Sequence, residues 1–463
     1  MHPLDFICSV DAEPLDRYKE GGYHPVCLGD LLKDGRYKVI HKIGFGAYST
    51  VWVARDQQAH RYVAIKVNTS DIGILTRETL ILRTLSAAGQ SCDSHPGSNH
   101  VVQFLDDFTV TGPNGTHTCL VLELLGPSIQ SGLWRKFHDG RLPREYVYGV
   151  SKQAVLGLDY LHRNGIGHGD IHTGNLVFTL LNLDDLIEEE FFARFTYPAT
   201  GSITRKDGAP LNKGMPEYLV WPMRFRAKDI NTAASVKLVD FGESFLADNK
   251  PPSLNTPKVL CAPELIFKDE WDYYVDIWSM GCMIFELIAG QPPFGGYFDN
   301  ERILLLMIIS KLRGELPDRW REEWTRMEET RERFKPDVGQ EEINEEYSSR
   351  TLEEWLPFLY FEDEDKTADL SVEELARVST VVRKMLRYEP AERISAADAL
   401  KEEWFRDGPV ASGSSKDELA TTNMAPTEKM TTENVVTEMA EAGKVEDAKT
   451  SSGNQLPSCQ LLP

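Results

Sequence analysis

The chain changes hydrophobic period once, and that change limits its folds more than any other feature. Between residues 37 and 125, YKVIHKIG, STVWVARD, RYVAIKV, VVQFLDDF and TCLVLELL read as short strands rich in β-branched residues, with one helical stretch, ETLILRTL, among them. From Pro143 the apolar positions recur every three or four residues. Val147, Val150, Ala154, Leu158 and Leu161 form the stripe an amphipathic helix buries. Apolar segments at 274–290, 302–313, 372–387 and 395–405 continue the helical half. The predicted fold is α+β and bilobal: a small β-rich lobe with one helix, followed by a larger α-rich lobe.

At 463 residues the chain is too long for one compact core. The predicted organisation is an N-terminal extension over 1–36, a first lobe over 37–125, a second lobe over 126–406 and a tail over 407–463. The tail is rich in Ser, Thr, Glu, Ala and Lys and has few large apolar residues. It cannot bury enough surface to offset its ordering entropy and is expected to be disordered. Two stretches read as insertions. Residues 180–235 join the acidic amphipathic segment LDDLIEEEFFARF to a Gly/Pro/Lys-bearing loop, and residues 314–370 carry dense mixed charge around Trp324, Trp355 and Tyr360.

Composition narrows the partners. The balance of 72 Asp plus Glu against 50 Lys plus Arg, a net charge of -22, opposes binding to a polyanion and favours basic protein segments over nucleic acid. The seven cysteines are odd in number, dispersed and without a C-x-x-C pair, which suits a reducing compartment better than a disulfide framework or zinc site. MHPLDFICSVDAEP has no basic n-region, and no run reaches the roughly 20 apolar residues that span a bilayer. Cys459 stands one position too far from the end for a prenylation box. A soluble cytoplasmic or nuclear monomer is expected.

The chemistry concentrates in a series of short motifs. Ile43-Gly44-Phe45-Gly46-Ala47-Tyr48-Ser49-Thr50-Val51 is a glycine-containing turn between two predicted strands, whose backbone could approach phosphates; Ser49 stands where a third glycine would complete the pattern. Read alone, it is equally a structural hairpin. Val63-Ala64-Ile65-Lys66 puts a lysine inside a strand that wants to be buried. That lysine either snorkels or is oriented toward phosphates by a helix carboxylate, for which Glu78 is the candidate. A separation of 12 positions is short for such a pair and implies a helix that has lost a turn at its start. His168-Gly169-Asp170-Ile171-His172-Thr173-Gly174-Asn175 places an aspartate five residues before an asparagine, so one loop could supply a base and a Mg²⁺ ligand. Val236-Lys237-Leu238-Val239-Asp240-Phe241-Gly242 ends a short strand in an aspartate that could chelate the same metal. In the helical half follow Ala262-Pro263-Glu264, Asp276-Ile277-Trp278-Ser279-Met280-Gly281 and Arg393. There Glu264 is expected to pair with Arg393, and Asp276 to accept from the backbone of the 168–175 loop.

In this order, over about residues 37–405, the motifs resemble those of eukaryotic protein kinases. Residues 21–56, GGYHPVCLGDLLKDGRYKVIHKIGFGAYSTVWVARD, resemble the lead-in and glycine turn of the SR-protein kinases, as do the segment VLELLG and the long spacer between the lobes. The resemblance implies a Ser/Thr kinase that uses ATP and Mg²⁺. Asp170 would be the catalytic base, with Lys66, Glu78, His172 and Asn175 beside it. ATP would be held by Ile43 through Val51, Ala64, Lys66, Glu123 and Leu125, with Leu122 as gatekeeper, and the metal by Asn175 and Asp240. It also implies protein substrates, Arg/Ser-rich segments among them, which an acidic surface suits.

Three departures from the wider pattern stand out. Asn175 and Asp240 lie 65 positions apart (240 − 175), so about 50 residues are inserted and are expected to loop out of the core. Gly169 replaces the arginine usual before the catalytic aspartate, leaving no cation there for a phosphate on the segment after Gly242 and implying constitutive activity, as in SR-protein kinases. His172 replaces the usual lysine, so H-G-D-x-H-x-x-N also resembles the loop of aminoglycoside- and choline-type small-molecule kinases over eight residues. A histidine there donates when neutral and carries full charge only when protonated. A pseudokinase scaffold and a small-molecule phosphotransferase are the rival readings. The role of Thr256-Pro257 is open at this level.

Overall fold

The computed structural model describes residues 5–89, 95–137, 139–180, 183–226, 235–295, 301–333, 349–363 and 365–408. The N-terminal half is built on a six-stranded antiparallel sheet. In chain order its strands are β1 (Leu31–Leu32), β2 (Tyr37–Gly46), β3 (Ser49–Asp56), β4 (Arg61–Asn68), β5 (Phe104–Gly112) and β6 (Gly115–Glu123), arranged β1-β2-β3-β4-β6-β5. Helix α1 (Arg77–Gly89) crosses from β4 to β5.

Alternation along the strands gives the sheet two apolar faces. Val39, Trp52, Ile65 and Val121 share one cluster, while their neighbours Ile40, Val53 and Ala64 belong to another. The second face is covered by the segment expected to loop out. Helix α3 (Glu188–Arg194; α2 is given below) sets Phe191 against Tyr62 with ring centroids 4.5 Å apart, and Phe195, Met223 and Phe225 complete the cluster. Strands Thr200–Ser202 and Tyr218–Val220 pair beside it, and Ile203, Met215 and Leu219 pack on Phe6, Val10, Tyr18 and Tyr23 of the N-terminal segment. The looping-out expectation is therefore corrected: a sheet apolar on both faces needs a second cover, and Leu183, Phe191, Phe195, Met223 and Phe225 of the spacer provide it. The rest of the 180–235 stretch, at 181–182 and 227–234, lies outside the described residues.

The second half is helical. Helix α2 (Arg144–Arg163) packs its predicted stripe inward, and α4 (Val275–Ala289) is buried along nearly its whole length, as the axis of the core. Around it lie α5 (Glu301–Leu312), α6 (Asp318–Arg333), α7 (Leu352–Phe361) and α8 (Val372–Met385). Helix α7 corrects the reading of 314–370 as an insertion throughout. Started by a Thr351/Glu354 capping box, it buries Trp355, Leu356 and Tyr360 in the main core. Residues 334–348 and the tail from 409 lie outside the described residues, so the expectation of a disordered tail concerns residues on which the structure is silent. Glu264 and Arg393, both without solvent exposure, form the expected pair through two bonds of 2.6 Å. Cys8, Cys27, Cys119, Cys261 and Cys282 are free thiols. No helix among the described residues is long and apolar enough to cross a membrane.

Candidate active site

Lys66 lies on β4 between Val51 of β3 and Leu120 of β6, in the middle of the sheet. Its ammonium reaches out to Glu78 Oε1 at 2.7 Å and to Asp240 Oδ1 at 2.9 Å. Helix α1 begins at Arg77, so Glu78 stands in its first turn, and the short 12-residue separation is bridged. Burial alone would lower the Lys66 pKa, but Asp240 and Glu78 outweigh it and raise the pKa above the ordinary value. Asp240 is drawn down to about 2, chiefly by the Lys66 charge. Burial instead pushes the Glu78 carboxyl up, despite Lys66. Asp240 itself adopts φ 62°, a left-handed conformation unusual for a non-glycine residue and typical of constrained sites.

The spacer does not separate Asn175 from Asp240 in space. Strands β7 (Leu176–Thr179) and β8 (Val236–Leu238) pair with Leu176 opposite Leu238, and the Val239 N–H donates to the Asn175 carbonyl at 3.0 Å. Asn175 Nδ2 donates to the Asp170 carbonyl at 3.0 Å and to Asp170 Oδ2 at 2.9 Å. With its NH₂ so engaged, the Asn175 amide oxygen is left for a cation. Asp170 Oδ1 is buried and has no hydrogen-bond partner.

The loop is held from behind. Asp276 accepts from the His168 N–H at 2.7 Å, the Gly169 N–H at 2.8 Å and His162 Nε2 at 3.1 Å. The fully buried His168 is a positioning residue that its motif alone did not reveal. Its Nδ1 accepts from the Asp170 N–H at 3.2 Å, so its Nε2 carries the proton toward the Val239 carbonyl at 3.0 Å. Burial lowers its pKa, which keeps it neutral in that tautomer. His172 turns Nδ1 to the Gly174 N–H at 3.0 Å and Nε2 toward Asp170 Oδ2 at 3.5 Å.

Gly169 has a backbone reason as well as an electrostatic one. Its φ is 79°, and a Cβ there would lie 2.7 Å from the Glu243 carbonyl oxygen. The segment after Gly242 is fastened without a phosphate: Glu243 accepts from the Asn255 N–H at 3.2 Å and its Nδ2 at 2.8 Å, and Thr256 Oγ1 donates to the Gly169 carbonyl at 2.7 Å. Thr256 thus has a place, braced against the loop backbone beside Asp170.

The glycine turn closes between β2 and β3 with Gly46 opposite Ser49 and Gly44 opposite Val51. A Cβ at Gly44 or Gly46 would meet nothing within 4 Å, so both look onto open space. Ala64 pairs with Leu122, and Val63 with Glu123. The Glu123 N–H donates to the Gln103 carbonyl at 3.1 Å, so of the backbone groups expected to face adenine at Glu123 only the carbonyl qualifies. Its carboxylate accepts from Lys237 at 2.5 Å.

A Mg²⁺ site fits these residues. Asp240 Oδ1 takes Lys66 at 2.9 Å and the Gly242 N–H at 3.3 Å, which leaves Oδ2, like the Asn175 amide oxygen, for a cation. Among the described residues there is no cluster of three or more His, Cys, Asp or Glu for a metal. Two protein ligands with phosphate oxygens supplying the rest is how Mg²⁺ is usually held.

Comparison with known proteins identifies the family. A serine/threonine protein kinase of Aspergillus fumigatus is 30% identical over 87% of this chain and 92% of its own. The serine/threonine-protein kinase SRPK of Physarum polycephalum is 30% identical over 88% and 93%. Human SRSF protein kinase 3 reaches 41% over 36% of this chain and 29% of its own. The crystal structure of a kinase domain superposes with a TM-score of 0.55 over 82% of this chain and 98% of that one, at 21% identity, a likeness of fold. The protein kinase domain family model matches residues 37–185 and 228–405 and skips the stretch that covers the sheet, so this chain belongs to the protein kinase family, as an SRPK-like member with an added cover on its N-terminal lobe.

Proposed function

We propose that this kinase transfers the γ-phosphate of ATP to Ser/Thr hydroxyls of protein substrates, with basic Arg/Ser-rich segments as the preferred class. The observation that carries the reading is the unpartnered, buried Asp170 Oδ1 beside an Asn175 amide that orients the same carboxylate. A buried acceptor without a donor is costly, and an incoming substrate hydroxyl would satisfy it. Asp170 would take the proton of that hydroxyl. Lys66, oriented by Glu78, would neutralise phosphate charge, and the open backbone at Gly44 and Gly46 would receive the phosphates. Mg²⁺, when bound, would neutralise charge on the phosphate oxygens, with Asn175 and Asp240 as its protein ligands.

The substrate class rests on the net charge of -22 and on the relatives. The proposed catalytic unit spans about 37–405 and acts as a monomer in the cytoplasm or nucleus. The test incubates the full chain and MgATP with an Arg/Ser repeat peptide, a generic basic protein, choline and an aminoglycoside in parallel. Phosphate on the peptide serine is the expected result. Label on the small molecules alone would replace the reading with the small-molecule class, and nucleotide binding without any product would replace it with a scaffold.

A further inference from the structure

The glycine turn is held from beneath by residues that precede the kinase domain. Tyr23 Oη donates to the Gly46 carbonyl at 2.7 Å, and the Arg17 guanidinium donates to the Ala47 carbonyl at 2.8 Å. The next carbonyl, Tyr48, accepts from the Thr69 N–H at 2.8 Å. Three consecutive peptide groups at the tip therefore have their oxygens tied down, while the glycines look onto open space. Two of the three ties come from the N-terminal segment.

That segment is anchored to the strand that enters the turn. Glu13 and Lys42, both buried, form an ion pair, and Tyr18 donates to the other Glu13 oxygen at 2.5 Å. The Lys42 ammonium also lies 5.8 Å from the centre of the Phe45 ring on the turn itself. Gly22 makes the return of the chain possible, because a Cβ there would lie 1.8 Å from the Arg17 carbonyl oxygen. The close approach brings the Tyr23 N–H to that carbonyl at 2.9 Å and sets the Arg17 side chain and the Tyr23 ring side by side, 5.6 Å from guanidinium to ring centre.

A turn with two glycines loses more freedom on ordering than one built of other residues, and a ligand that orders it bears that cost. We propose that Tyr23 and Arg17 are positioning residues for ATP: by holding the Gly46 and Ala47 carbonyls they keep the glycine turn in its phosphate-receiving shape before the nucleotide arrives. The inference rests on the reading of the turn as the ATP phosphate site. It assigns to the N-terminal segment a part in nucleotide affinity and none in the chemical step.

Tyr23→Phe keeps the buried ring and removes one donor without a change of charge, and Arg17→Met removes the other. Each is expected to raise the KM for ATP and the Kd of a fluorescent ATP analogue about 3- to 10-fold, as for one lost neutral or charge-assisted hydrogen bond. The turnover number at saturating ATP should stay within about 2-fold and the KM for peptide should not change, since neither residue reaches Asp170. Arg17→Lys, which retains a donor, should recover most of the affinity. An unchanged ATP affinity in Tyr23→Phe and in Arg17→Met overturns the clamp alone. A loss spread equally over turnover, peptide KM and melting temperature overturns it as well, in favour of a purely structural segment. Wild-type protein that binds no ATP analogue overturns the reading of the turn, and the clamp with it.

Discussion

Asn175 donates to Asp170 twice, once to the main-chain carbonyl at 3.0 Å and once to carboxylate Oδ2 at 2.9 Å, and so turns the other carboxylate oxygen into a buried site that no protein group fills. Asparagine at position 170 would keep the shape of the loop but offer no base. Asp170→Asn is expected to lower turnover about 1000-fold or more while ATP affinity stays within about 2-fold, because in the proposed function the residue would touch the acceptor hydroxyl and not the nucleotide. Steady-state phosphorylation and analogue binding on the same preparation check this. Undiminished turnover would remove Asp170 from the site.

His172 turns toward the same carboxylate oxygen, Asp170 Oδ2. Its Nδ1 is occupied by the Gly174 N–H, so only the Nε2 proton is available for work, 3.5 Å from Asp170 Oδ2. His172→Ala is expected to lose about 10-fold or more in turnover, the usual effect of removing one donor near developing charge. His172→Lys, which restores a permanent cation, should retain activity. Equal turnover in the alanine variant and wild type across pH 6 to 9 would leave His172 as filler in the loop.

Gly169 is required by geometry. Gly169→Ala must hold an L-residue at φ 79° and push its Cβ to 2.7 Å from the Glu243 carbonyl, so it is expected to cost about 1–3 kcal/mol of stability and to reduce turnover by displacing the loop. Gly165→Ala is the comparator. Gly165 has φ 67° with nothing within 4 Å of a Cβ, and its loss should be limited to about 1 kcal/mol of backbone strain with turnover preserved. Urea titrations of the two variants separate crowding from strain.

Acid sensitivity should trace in part to His24. Burial, reinforced by the His117 ring 4.9 Å away, lowers its pKa to about 4, and its Nδ1 is buried without a partner. Below the unfolded value near 6.5 the unfolded chain then binds more protons than the folded one, so stability rises with pH between about 4 and 6.5 and falls on acidification through that window. The contribution is at most about 3 kcal/mol by pH 4. His24→Phe should flatten this part of the profile and leave the residual slope of His41, His100, His117 and His168, whose pKa values burial also lowers. An identical profile in the variant would place the acid sensitivity elsewhere.

Much of the site was legible because its chemistry is carried by short, nearly contiguous motifs. Asp170 and Asn175 share one loop, Asp240 ends one strand, and Lys66 sits inside a β-branched run, so the ordered series of motifs, each ambiguous when read alone, offered a candidate base, metal pair and phosphate cation. The change of hydrophobic period located the two lobes for the same reason: side-chain alternation and helical stripes are local properties of the chain.

Three features needed the tertiary structure because they depend on residues far apart in sequence. Residues 183–226 look like a spacer by composition, yet Phe191 and Phe195 cover a sheet face formed by Ile40, Val53 and Ala64, and no local pattern records which surface an amphipathic segment will meet. The sequence already paired Asn175 with Asp240 across a 65-position gap, but the means, a strand pairing that sets Leu176 opposite Leu238, is a contact no local pattern records. The hold of Tyr23 and Arg17 on the glycine turn is a contact between side chains and main-chain oxygens, and every peptide group offers the same oxygen. Residue identities told which groups could donate. Only the folded backbone decided which carbonyls they would find.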